Sequence, residues 1–105
     1  MKYIKIHCIK DTYSALPAEK RAELTASAMA FADKYKKAGK MQEYFFMADG
    51  SGGFAIWDVA FNEELYSISL EYPLRPYTDF ETYPVVDYAA AAQRYKESVT
   101  ARKAP

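Results

Sequence analysis

Two neighbouring stretches of the chain, Met41 to Met47 and Phe54 to Val59, are apolar on both of their alternating faces. In the first, Met41, Phe45 and Met47 oppose Tyr44 and Phe46; in the second, Ala55, Trp57 and Val59 oppose Phe54 and Ile56. Successive strand residues point to opposite sides of a sheet. A sheet built from these two strands therefore needs cover in front and behind. Whatever else the 105 residues do, they must supply that cover or borrow it.

The remaining elements follow from periodicity and punctuation. Lys2–Ile9 alternates with period two, Ile4, Ile6 and Cys8 on one side and Tyr3, Lys5, His7 and Ile9 on the other, which predicts a strand. Lys10–Leu16 reads as a polar turn. From Pro17 to Ala38, Leu24, Ala28, Phe31, Tyr35 and Ala38 recur at helical spacing, with Pro17 suited to the first turn and Gly39 to the stop. Strands are expected over Lys40–Ala48 and Phe54–Ala60, joined as a hairpin by the loop Asp49–Gly53. Asn62 caps a short helix that turns Leu65, Ile68 and either Ser69 or Leu70 inward, and Pro73 and Pro76 bracket an extended corner. A fourth strand runs over Thr78–Tyr83, with Pro84 marking an edge. Asp87 opens a last helix faced by Tyr88, Ala91, Ala92, Tyr95 and Val99, and residues 100–105 are expected to fray.

The order is β-α-β-β-α-β with an extra C-terminal helix, the ferredoxin-like pattern of the α+β class, in a single domain over residues 1–105. Two helices cover one face of such a sheet. The same face of a second copy is the simplest cover for the other, giving a homodimer or higher oligomer that closes into a dimeric α+β barrel. Burying three more aromatic side chains per subunit would contribute on the order of 5–9 kcal/mol before association costs.

Composition removes several functions. Fourteen basic residues balance fourteen acidic ones, and the pI near 6.6 lacks the footprint of a nucleic-acid binder. One cysteine and one histidine cannot build a zinc-finger ligand set or an internal disulfide, so no metal site is expected. The opening residues lack the apolar stretch of a signal peptide and no run is long enough to span a membrane, so the reading is a soluble, cytoplasmic protein without a membrane partner. The glycines of Asp49–Gly53 join two strands and open no helix, which excludes a phosphate cradle.

The chain resembles the muconolactone isomerases. The resemblance is carried by Gly39-Lys40, by Ala55-Ile56-Trp57-Asp58-Val59, by Glu64-Leu65, and above all by the corner and strand from Pro73-Leu74-Arg75-Pro76-Tyr77 to Val85. It implies a ferredoxin-like subunit paired sheet to sheet, and a cofactor-free proton shift on a small lactone inside the barrel. Three places depart from that family's pattern. Ala28 and Met29 stand where it carries an acidic-then-basic pair, Tyr66 follows Glu64-Leu65 where it has histidine, and Asp87–Ala101 reads as a helix where it has an irregular tail.

A proton shift between carbons needs a base near the C–H and a donor near the forming enolate. His7, with an ordinary pKa of about 6.5, is the expected base. It points into the barrel if Ile4, Ile6 and Cys8 meet the helices, in which case Cys8 is a small core residue. The plainer reading is an imidazole hydrogen-bonded within an interface. Tyr44 is the expected donor and Glu81 a second catalytic carboxylate; Glu81 shares its strand face with Asp79 and Tyr83, and that face could equally be solvated at an edge. Asp58, near its strand end, bonds the next turn in the plainer reading. Tyr3, Phe46, Trp57, Tyr77 and Tyr83 are candidates to line a pocket for a small organic ligand, and the fork of Arg75 suits a ligand carboxylate. The function expected first is a cofactor-independent isomerase of a small oxygenated compound. A non-catalytic ligand-binding or assembly domain is the alternative, and a cofactorless monooxygenase or cyclase-like enzyme the third.

Overall fold

The structure, a computed structural model, describes residues 1–103. The elements are β1 (Lys2–Ile9), α1 (Asp11–Ser14), α2 (Ala18–Lys37), β2 (Met41–Phe46), β3 (Gly52–Asp58), α3 (Asn62–Glu71), a 3-10 turn at Arg75–Tyr77, β4 (Thr78–Val85) and α4 (Tyr88–Lys103). The strands form one antiparallel sheet in the order β2-β3-β1-β4. This is the ferredoxin-like α+β fold.

Most elements sit where their residues place them. The start of α2 at Ala18 follows Pro17. Its end is a Schellman closure: Gly39 at φ +74 lets the Lys40 N–H reach the Tyr35 carbonyl and its own N–H reach Lys36. α3 buries Leu65 and Ile68 on the sheet, while Ser69 is half-buried and Leu70 exposed. β4 pairs with β1 alone, so Pro84, opposite Tyr3, lies on an edge strand and breaks no second ladder. Two local expectations shift. Lys10–Leu16 contains one helical turn, α1, and the Pro-bracketed corner winds into the 3-10 turn instead of staying extended.

β3 begins at Gly52 rather than Phe54, so two residues expected in the loop belong to the ladder. The absence of Cβ explains this. A Cβ on Gly52 would lie 1.9 Å from the His7 carbonyl oxygen, and one on Gly53 would lie 2.2 Å from that of Phe45. Only glycine lets three strands converge here. The hairpin turn ahead of them is closed by Asp49, whose carboxylate accepts from the Ser51 N–H at 2.9 Å, with Gly50 at φ +77.

The core lies between the sheet and α3: Tyr3, Met41, Ala55, Trp57, Val59, Leu65 and Ile68 are buried together, and Phe31 and Tyr35 of α2 pack against them. A bulge between Met41 and Glu43 brings Met41 and Tyr44 to the same face, whereas strict alternation would oppose them. The face under the helices carries Tyr3, Lys5 and His7 from β1; Ile4, Ile6 and Cys8 face away. Cys8 is exposed, which corrects its reading as a core residue. The face away from the helices is apolar and uncovered within the chain: Phe45 stacks on Phe54 at 5.2 Å, and Phe45 and Tyr83 are each 51% exposed.

α4 is helical to Lys103, and residues 104–105 of the segment expected to fray lie outside the described residues. The helix projects from the body, stretching the molecule to 68 Å against 27 and 21 Å across. Its tyrosines Tyr88 and Tyr95 are exposed, with Lys2 bonded to Asp87 at its base at 2.9 Å.

The two turn glycines differ in what they can tolerate. Gly52→Ala should destabilise the fold by at least about 3 kcal/mol, because the clash is with backbone. Gly50→Ala should cost only about 1–2 kcal/mol of left-handed strain, since open space surrounds it. Urea unfolding followed by circular dichroism checks the order.

Candidate functional site

β1 presents Lys5 and His7, two positions apart, on the helix-facing side of the sheet. Their partners across the ladder to β3 are small: Ala55 lies opposite Lys5 and Gly53 opposite His7. Long side chains facing a methyl group and a hydrogen leave a hollow. α2 bridges this hollow without burying any residue of its own. An outer chamber of about 290 Å³ lies between α2 and the sheet, walled by Thr25, Ala28, Met29, Ala32, Phe46 and Leu74 among others, with Asp33 and Lys36 on its α2 side. A smaller inner compartment of about 30 Å³ lies against Trp57, Phe31, Leu65, Ile68, Phe80 and Lys5. His7, Tyr44 and Tyr72 line both, so the two spaces adjoin at these residues.

His7 is 8% exposed. Its ring meets Tyr44 edge-on at 5.9 Å and lies tilted on Phe80 at 6.4 Å. Among the described residues its side chain has no hydrogen-bond partner; its neighbours are aromatic rings and the two cavities. Burial lowers its pKa below the ordinary 6.5, and the charge of Lys5 adds to this, so the imidazole is neutral at pH 7. Burial raises the pKa of Tyr44, offset in part by the neighbouring Tyr72 hydroxyl. Tyr72 itself is shifted upward by burial and by Tyr44. Both phenols stay protonated as donors.

Lys5 is the residue the sequence reading missed. Its ammonium is bonded to the Ser69 hydroxyl and sits 4.4 Å from the centre of the Phe80 ring. Burial first, and Arg75 second, press its pKa down to about 8. The signal was present in the sequence: Lys5 shares the parity of His7, so any face that receives one receives both.

The expected site residues divide by sheet face. His7, Tyr44, Phe46 and Trp57 come together around the two cavities. Tyr3 is on the same side but belongs to the core. Glu81 and Tyr83 lie on the opposite face, their side chains bonded to each other at 3.1 Å, so the structure does not bring Glu81 to His7. The reason is register: Phe80 stands opposite His7, which turns Glu81 the other way. Arg75 is exposed and reaches the site only through its charge on Lys5. Tyr77 packs on Tyr13 at 6.5 Å, outside both cavities. Asp58 bonds the N-terminal ammonium at 3.3 Å and has no part in the site. The barrel-facing parity is also corrected: His7 looks under its own helices, not across to a second sheet. Among the described residues no cluster of three or more His, Cys, Asp or Glu could hold a metal, and no helix is long and apolar enough to cross a membrane.

The family described as Muconolactone delta-isomerase matches the chain over residues 7–91. A crystal structure of muconolactone isomerase is similar in fold, with a TM-score of 0.72 and 22% identity, covering 84% of this chain and 91% of that one. The 5-chloro-2-hydroxyhydroquinone dehydrochlorinase of Burkholderia phenoliruptrix, in complex with 2,5-dihydroxybenzoquinone, matches with a TM-score of 0.66 and 14% identity over 86% of this chain and 98% of that one. No curated protein sequence matches the chain.

The buried imidazole has a consequence for stability. The unfolded chain binds a proton at His7 near pH 6.5 and the folded chain only at lower pH. Stability is therefore lost as pH falls below about 6.5. The thermal midpoint of the parent should drop more steeply on acidification than that of His7→Gln, as calorimetry across that range would read out.

Proposed function

The chain belongs to the muconolactone delta-isomerase family, and on that premise we propose that it moves a proton between carbons of a small enolisable compound held in the outer chamber, with His7 as the base. The observation that carries the reading is a buried, neutral imidazole with no hydrogen-bond partner in the described chain, lining two adjoining cavities. With no protein partner, the imidazole nitrogens lining these cavities are available to a bound substrate.

In this reading the imidazole takes a proton from the carbon beside a carbonyl. The C–H electron pair becomes the new carbon–carbon double bond, and the carbonyl electrons move to oxygen as an enolate. Tyr44 donates a hydrogen bond to the developing charge. The imidazolium then returns its proton to the carbon at the far end of the conjugated system, restoring the carbonyl and the neutral base. No electrons are gained or lost overall, so the residues themselves supply the acid and base needed. Ala28 and Met29 supply apolar surface to the outer chamber from α2, alongside Asp33 and Lys36. The aromatic cavity also suits planar ligands, and the 2,5-dihydroxybenzoquinone held by the dehydrochlorinase is a reasonable first ligand to try.

The uncovered sheet face favours self-association. Ile4, Ile6, Phe54 and Ile56 form an apolar strip on that face, with Phe45 and Tyr83 exposed beside them. A second copy related by a two-fold axis would cover this strip and close the paired sheets into a barrel. The projecting α4, whose exposed tyrosines find no neighbour in its own body, would then lie along the partner, because an isolated helix of 16 residues is marginal in water.

Two outcomes check these readings. In D2O the protein should incorporate deuterium into muconolactone, and His7→Ala should slow that exchange by about 100-fold or more while leaving the fold intact; undiminished exchange would remove His7 from the role. Sedimentation at micromolar concentration should show a species of at least twice the 12.0 kDa chain mass, which Phe54→Glu should convert to monomer.

A further inference from the structure

The inner compartment holds more chemistry than a proton shift by His7 requires. Its volume of about 30 Å³ is room for one or two water-sized groups, too small for a ring and suited to an oxygen substituent. Its lining is apolar and aromatic except for the ammonium of Lys5, the shared His7, Tyr44 and Tyr72, and the Ser69 hydroxyl. No carboxylate faces it, and Lys5 makes no ion pair among the described residues. A half-buried ammonium with no counter-charge gains from any anion that reaches it.

We propose that this compartment is an oxyanion subsite in which Lys5 receives the negatively charged oxygen of a small planar ligand whose ring occupies the outer chamber. The placement of the ring beside His7 rests on the enzyme reading above; the charge recognition does not. Ser69 Oγ donates to the Leu65 carbonyl at 2.8 Å, so its hydrogen is committed and it serves Lys5 as an acceptor. Phe80 holds the ammonium from its ring face. These two contacts orient Nζ and leave it N–H capacity for an anion, since an ammonium carries three donors. The ligand chemistry is an ionised oxygen on a small ring: an enolate, a phenolate or a carboxylate, in preference to a neutral isostere. For a proton-transfer enzyme, such a site stabilises the enolate that His7 creates.

The groups facing Lys5 set its pH range. β1 offers His7, β2 offers Tyr44, α3 offers Ser69, β4 offers Phe80, α2 offers Phe31, and the corner after α3 offers Tyr72 within the cavity and the charge of Arg75 beyond it. None is an acid at neutral pH. Lys5 is therefore charged near pH 7 and loses its proton as pH rises through about 8, and anion affinity should fall with it.

Trp57, the sole tryptophan, lines the inner compartment and reports on ligands by its fluorescence. Benzoate, ionised throughout the neutral and alkaline range, and benzamide, its neutral isostere, serve as probes. The parent should bind benzoate about 10-fold or more tighter than benzamide near pH 7, and this preference should decline as pH rises through about 8. Lys5→Met should erase the preference, and Lys5→Arg should keep it while abolishing the decline near that pH. An unchanged preference in Lys5→Met, a parent that treats the two probes alike, a flat pH profile, or no benzoate binding at millimolar concentration would each overturn the assignment. If Lys5→Met fails to fold, the parent profile and Lys5→Arg decide the matter. Failure of the enzyme reading looks different: benzoate preference would persist while deuterium exchange into muconolactone was absent.

Discussion

Tyr3 pairs with Trp57 across β1 and β3, and this contact sets the face on which everything else is arranged. Trp57 is 4% exposed and packs with Leu65 and Ile68 beneath α3. Once it is anchored there, alternation commits Tyr3, Lys5 and His7 to the helix side and Ile4, Ile6 and Cys8 to the other. A slip of one residue would exchange the two sets. The large tryptophan and tyrosine outweigh the preference of two isoleucines for the better-covered face, because one buried indole contributes more apolar area than either aliphatic chain. Gly52 adds a second lock, since its backbone approaches that of His7 too closely for any other residue.

The cavity is a by-product of the same register. With Ala55 and Gly53 opposite Lys5 and His7, the sheet has a depression that α2 spans but does not fill. This accounts for a 20-residue helix whose inward face, Leu24, Ala28, Phe31 and Tyr35, is only half-buried. Part of that face meets space in place of sheet. Stability is concentrated on α3 and the central strands, while α2 roofs a chamber whose emptiness lowers its contribution to packing.

The order of elements was legible because each depends on local chemistry: Pro17 and Gly39 bound α2 and alternation marks β1; Asn62, expected to cap α3, is its first helical residue and Phe61 holds the cap position without a side-chain bond. The need for cover on both sheet faces was legible from the aromatic strands for the same reason. The choice of face was not, because Ile4, Ile6 and Cys8 form the more apolar set and hydrophobicity alone points them inward. Pairing across strands decides the matter, and pairing is absent from a single strand's pattern. The bulge near Gln42 escaped for a related reason: strict alternation separates Met41 from Tyr44, whereas one extra residue unites them. For the candidate site, residue type drew attention to His7 and Tyr44, and the structure brings both to the same two cavities. Lys5 drew none, since a strand lysine is most often solvated; its parity with His7 was the sequence signal, and its contacts with Ser69 and Phe80 complete it.

Lys5 also acts on His7 electrically, second to burial in lowering its pKa. Two cations on one strand face, in surroundings that solvate neither well, cannot both be charged without mutual cost. The lysine, starting from the higher affinity for protons, keeps its charge, and the imidazole yields its own. The result at neutral pH is an uncharged base beside a charged donor, which is the pairing needed to remove a proton from carbon and hold the resulting anion. Proton transfer to His7 would create a second positive charge in the pocket, and that charge is tolerable only while a negative oxygen sits near Lys5. On the proposed reading, acceptance of the proton by His7 would thus be coupled to the presence of the enolate near Lys5.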